Sequence, residues 1–124
     1  MSVRPLVLIA EDNELNLKLF GDLLSMQNIA YVGVSDGQKV ITTAVERKPD
    51  LILMDLRLNN ISGLDLIDAL KKHSDLHMIP IIALTAFVTK QDRDNALSRG
   101  CVAYLTKPVK IDIFYDTIKQ FLKY

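Results

Sequence analysis

Residues 50–63 read DLILMDLRLNNISG. Four apolar residues, Leu51 to Met54, run without a polar break and end on a carboxylate, Asp55. A short run that is apolar on both faces suits a strand covered on both sides, as in a parallel sheet sandwiched by helices. An aspartate after such a strand ordinarily begins a turn or caps a helix, so any chemistry at Asp55 depends on what else arrives beside it.

Working outward, the same pattern recurs. Leu6 to Ala10, Ile29 to Val34, Ile81 to Leu84 and Val102 to Leu105 are further short apolar runs, and five segments of helical period lie between and after the five strand candidates. Strands alternating with helices predict an α/β fold, a doubly wound five-stranded parallel sheet with five helices on its two faces. Asn13 is placed to cap the first helix, and Ser62, with Asp65 three residues later, to cap the third. The fifth helix follows Pro108, and its apolar positions Ile111, Phe114, Ile118 and Phe121 fall on one face, read as core packing. No internal repeat, low-complexity tract or linker interrupts the pattern.

Composition narrows the function. With 124 residues, 49% of them hydrophobic and 24% charged, the chain is sized for one core. Fifteen basic and fifteen acidic residues cancel, so there is no positive field to gather nucleic acid or an anionic membrane, and any partner is selected by local shape. The apolar run near the N-terminus is too short for a signal-peptide core or a membrane span, which makes the cytoplasm the expected compartment. The single cysteine, Cys101, reads as a small apolar filler.

In an open parallel sheet the carboxyl ends of the strands share one edge, where ligands bind at the point of reversal in strand order. Strand one ends in Glu11 and Asp12, strand three in Asp55, strand four in Thr85, and strand five in Thr106, Lys107 and Pro108. Each has an ordinary explanation alone: the acids favour a helix N-terminus, Thr85 caps a turn, and Lys107 is solvated. Their joint arrival on one edge is what those explanations leave out. Close carboxylates repel unless a hard cation sits among them, and Mg²⁺ takes oxygen ligands from few carboxylates. Such a cation beside Asp55 would neutralise an incoming phosphoryl group, letting the carboxylate attack phosphorus, with Lys107 and the Thr85 hydroxyl pairing with phosphoryl oxygens.

These motifs resemble a known family. AEDNELN after strand one, LILMDLRL around Asp55, ALTA at strand four and AYLTKP at strand five are similar to the receiver domain of bacterial two-component response regulators. The resemblance spans the whole chain, residues 1–124, and implies a single receiver domain without an output domain, with strand order 2-1-3-4-5. It implies that Asp55 accepts a phosphoryl group from a histidine kinase or a histidine phosphotransfer protein. Asp12 and Asp55 would ligate Mg²⁺ directly, Glu11 through water, and the backbone carbonyl of Arg57 would complete the protein ligands. Thr85 and Lys107 would contact the phosphoryl oxygens, with Thr85 and Tyr104 as the switch pair. The expectation is a phosphoacceptor assisting its own phosphorylation and dephosphorylation, not an enzyme, whose output is altered affinity for downstream protein targets. EDNELN, DLILMD and LTAF most resemble the single-domain members that act in bacterial cell division. One departure stands out: where the family often has proline, this chain has Asn59, while the accompanying Gly63 is present. Loss of the proline would leave the loop after strand three less restrained.

Two surfaces are candidates for partners. On the first helix, Leu15, Leu19 and Leu23 form one stripe and Leu17, Phe20 and Leu24 another, wider than a singly packed helix needs. Either a helix against the sheet buries most of this arc, or Leu17 and Phe20 help dock a kinase or phosphotransfer helix bundle. Phe87 and Val88, after Thr85, are candidates for the output face or for core filling. His73 and His77 have the four-residue spacing of metal ligands, but they flank SDL where the third helix ends and read as a solvated pair. Three rival functions differ at the strand ends. A flavodoxin-type carrier would place repelling acids at its flavin phosphate, an aspartyl phosphohydrolase lacks its second acid because Arg57 stands there, and a phosphorylation-independent adaptor would be expected to lose part of the Asp55, Thr85 and Lys107 set.

Overall fold

The computed structural model describes residues 4–58, 61–86 and 89–122. Its elements follow in the order β1 (Leu6–Ala10), α1 (Glu14–Met26), β2 (Ala30–Val34), a 3₁₀ turn (Gly37–Lys39), α2 (Val40–Arg47), β3 (Leu51–Asp55), α3 (Gly63–Lys72), β4 (Ile81–Thr85), α4 (Lys90–Ser98), β5 (Ala103–Thr106) and α5 (Ile111–Phe121). All strand pairs are parallel, and the sheet order is β2-β1-β3-β4-β5, as the family resemblance implies. The order reverses between β1 and β3, so the edge at the ends of those two strands is the expected binding crevice.

The strand sequences explain this arrangement directly. Every residue of β3 and β4 is buried. Along β3, Ile52 and Met54 join a core with Val40, Ala44, Leu66, Ile67 and Leu70 of α2 and α3. The alternating residues Leu51 and Leu53 join a second core with Phe20, Leu24, Phe114 and Ile118 of α1 and α5. The unbroken apolar run is therefore a period-two pattern whose two faces both meet helices.

Local signals set the helix ends. The Asn13 side chain accepts the Asn16 amide at 3.0 Å and starts α1. That of Ser62 accepts the Leu64 amide at 3.2 Å and starts α3. Thr89 and Asp92 close a full capping box at α4, a helix the sequence otherwise supports weakly because few of its residues are apolar.

Two expectations about helix faces change. Phe20 is buried at 2% exposure, its ring stacked on Phe114 with centroids 5.6 Å apart, so it belongs to the core and not to a docking surface. The cause is α5, which shares the α1 side of the sheet and covers the stripe containing Phe20 and Leu24. Leu15 (79% exposed) and Leu19 (46%) face outward, while half-buried Leu17 lies over Gly33. On α5, Ile111 is 56% exposed and outside the core, whose stripe begins at Phe114. Asn59, Phe87, Val88, Lys123 and Tyr124 lie outside the described residues. Among those described, no helix is long and apolar enough to cross a membrane.

Candidate functional site

β3 delivers Asp55 to the sheet edge at 5% exposure. The Arg57 amide donates to its Oδ1 at 2.9 Å, an Asx-type contact that turns the chain back at the end of the strand. Lys107 Nζ donates to Asp55 Oδ2 at 2.8 Å and also to Glu11 Oε1. The Lys107 backbone is itself held, its amide donating to the Thr85 carbonyl at 2.8 Å, just before a cis peptide bond to Pro108. Glu11 is fully buried, and the Asn13 amide donates to its Oε2 at 3.4 Å.

The structure thus brings Glu11, Asp12, Asp55, Thr85 and Lys107 to one edge. Glu11, Asp12 and Asp55 each offer a carboxylate oxygen, all within 4.8 Å of one another, the only such acidic, histidine or cysteine cluster among the described residues. Three acids with hard oxygen donors fit Mg²⁺ in charge and chemistry, and the half-exposed Asp12 leaves the cluster open on one side. The His73 and His77 pair behaves as expected of a loop: His73 Nδ1 accepts the Asp75 amide, and His77 Nδ1 lies 3.0 Å from the Ser74 carbonyl oxygen.

Burial sets the electrostatics. It pushes the Glu11 carboxyl up to about 7, with the adjacent Asp55 adding to the rise and Lys107 opposing it. For Lys107 burial acts to lower the ammonium, but its bonds to Asp55 and Glu11 outweigh burial and hold it above the usual lysine range. The sign for Glu11 follows from linkage. Its folded pKa lies above the ordinary carboxyl value of 4.5, so the fold takes up a proton, and stability is lost as pH rises from about 4.5 through about 7. In chelator, Glu11→Gln is expected to remove that loss. Urea unfolding should show the variant gaining on the wild type by on the order of 2 kcal/mol between pH 5 and pH 7.5, and holding the gain at higher pH.

Thr85 is buried at 2% exposure at the end of β4. Beside it, Leu56, Arg57, Leu64, Thr85 and Asp92 line a cavity of about 110 Å³. Tyr104 lies on β5 opposite Ala83. Its hydroxyl is shielded from solvent near Thr85 without completing a well-formed hydrogen bond, and burial, aided by Asp92, raises the phenol. Sequence reasoning located these residues. It missed that Glu11 is buried and is the direct partner of Lys107, which no local pattern could reveal for residues at opposite ends of the chain. It also missed Asp92, whose place on the cavity wall follows from the cap of α4.

An acid cluster and a partly buried lysine at the switch point of a five-stranded parallel sheet define a receiver domain. The sequence model described as the response regulator receiver domain matches residues 7–119, and the chain belongs to that family. The polar-differentiation response regulator DivK of Brucella anthropi is 43% identical over 116 residues, 94% of this chain and 94% of that one. Among solved structures, the receiver domain of the sensor histidine kinase PA1611 from Pseudomonas aeruginosa PAO1 is 29% identical with a TM-score of 0.87, over 96% of this chain and 98% of that one. That structure has a magnesium ion coordinated in its active site cleft. The chemotaxis protein CheY4 of Vibrio cholerae has a TM-score of 0.91 over 97% of this chain and 100% of that one, at 19% identity a likeness of fold alone.

Proposed function

We propose that Asp55 is the phosphoacceptor of a Mg²⁺-dependent response regulator that receives its phosphoryl group from a phosphohistidine on a histidine kinase or phosphotransfer protein. The observation that carries this reading is the convergence of three carboxylates and the partly buried Lys107 ammonium at the switch point. An Asp55 carboxylate oxygen attacks phosphorus, a P–O bond forms as the P–N bond to the donor imidazole breaks, and the imidazole nitrogen takes up a proton. When bound, Mg²⁺ would be held by Asp12 and Asp55, with Glu11 through water and the Arg57 backbone carbonyl, and would offset the charge of the incoming group.

The chain's own groups do the rest. Lys107 stands against Asp55 as a fixed cation where negative charge accumulates. The Thr85 hydroxyl, at the adjacent strand end, donates to a phosphoryl oxygen. Movement of Thr85 opens room for Tyr104, whose hydroxyl already lies buried beside it. The resulting acyl phosphate changes affinity for downstream proteins, so the chain is a phosphoacceptor assisting its own phosphorylation and dephosphorylation. The likeness to DivK supports a role in control of the cell cycle.

The test is intact mass after incubation with Mg²⁺ and a small acyl phosphate: one added phosphoryl group is expected, and none in excess chelator. Docking of the protein donor is assigned to the exposed Leu15 and Leu19, with Leu17 at the margin. Leu15→Glu together with Leu19→Glu is expected to slow transfer from a phosphohistidine protein by about tenfold, on the scale of a modest interface truncation. Labelling by the small donor should not change; equal slowing with both donors would remove Leu15 and Leu19 from the docking surface.

A further inference from the structure

The loop after β3 is closed at its base. Arg57 and Ser62 form an isolated antiparallel bridge, and the Gly63 amide donates to the Leu56 carbonyl at 3.1 Å. Leu56 is held from the other side as well, its own amide donating to Leu84 of β4 at 3.0 Å. The first residue of α3 therefore rests directly on the backbone of the residue that follows Asp55.

That contact has no room for a side chain. A Cβ added at Gly63 would stand 2.5 Å from the Asp55 carbonyl oxygen and 2.6 Å from Leu56 Cα. Both are backbone atoms, so no rotamer change relieves the overlap. α3 cannot lift away freely either, because Leu66, Ile67 and Leu70 root it in the core. Any side chain at position 63 must displace the Asp55–Leu56 peptide or the Arg57 amide that holds Asp55 Oδ1.

We propose that Gly63 is a positioning residue for phosphoryl acceptance: lacking a side chain, it lets the N-terminus of α3 seat on the Asp55–Leu56 peptide and so fixes where the Asp55 carboxylate stands. This rests on Asp55 being the acceptor.

The experiment measures the initial rate of labelling by a small acyl phosphate at saturating Mg²⁺ and 10 °C for wild type, Gly63→Ala and Gly100→Ala, with Asp55→Asn as blank. Gly100 has φ of 117° and the nearest atoms a Cβ there would meet belong to the flexible Lys71 side chain, so Gly100→Ala destabilises the fold away from the site. Circular dichroism gives the folded fraction by which each rate is normalised. Gly63→Ala is expected to label about tenfold more slowly, on the scale of a sub-ångström misplacement of a reacting group, and Gly100→Ala at the wild-type rate. Wild-type rate in Gly63→Ala, or equal slowing in Gly100→Ala, overturns the proposal. An unlabelled wild type overturns the acceptor reading itself. Should Gly63→Ala not fold, Leu66→Ala, which loosens α3 beneath its seat, is read against Ile118→Ala in the opposite core: slowing confined to Leu66→Ala supports the proposal, and equal normalised rates overturn it.

Discussion

Asp55→Asn is expected to fold and to take up no phosphoryl group from any donor. Asparagine keeps the shape of the side chain, and its amide oxygen still accepts from the Arg57 amide; its NH2 stands where Oδ2 accepted from Lys107, whose ammonium keeps Glu11 as a partner. What it loses is the anionic oxygen that attacks phosphorus, and a neutral amide at that position is no nucleophile. The thermal midpoint should stay within a few degrees of wild type, since one close repulsion among Glu11, Asp12 and Asp55 is lost together with one ion pair. Intact mass after incubation with Mg²⁺ and a small acyl phosphate checks it. Equal labelling of Asp55→Asn would move the acceptor to another residue, and a phosphorylation-independent adaptor would show an unlabelled wild type as well.

Lys107→Met is expected to damage both the fold and the chemistry. The methionine fills similar volume but leaves Glu11, at 0% side-chain exposure, and Asp55, at 7%, facing each other with no cation between them. Breaking a buried pair in this way costs on the order of 3 kcal/mol, because the charges left behind keep their desolvation penalty. The loss should be full at pH 8 and smaller near pH 5, where Glu11 takes up a proton in the fold. Added Mg²⁺ should raise the thermal midpoint of Lys107→Met more than that of wild type, since it supplies the missing charge. Labelling at saturating Mg²⁺ should fall by about a hundredfold, the usual effect of losing one preorganised group at a developing charge. A variant as stable as wild type in chelator would show that Lys107 does not balance the acids.

Much of this was legible in the chain because β-strands buried on both faces leave unbroken apolar runs. The five runs locate the five strands to within about a residue at either end, and strand ends that share an edge bring Glu11, Asp12, Asp55, Thr85 and Lys107 together before any coordinate is known. Helix faces were harder. The wide apolar arc of α1 does not say which stripe α5 will cover, and Phe20 was resolved only by its stack on Phe114, far along the chain. Ile111 fits the α5 stripe in period, yet it sits at the first turn beyond the reach of the core. Gly63 could be read as a glycine but not as a close approach, because its neighbour is backbone and carries no sequence signature.

Lys107 touches an acid 96 positions earlier in the chain. The ammonium that balances Glu11 and Asp55 arrives only with β5, the outermost strand on its side of the sheet. Without that strand the acids of β1 and β3 would face one another with no fixed cation from the chain between them. Docking of β5 relieves the repulsion and completes the reactive edge in one event. The outermost strand thus ties the sheet's last pairing to the charge balance of its acidic edge, through a single side chain.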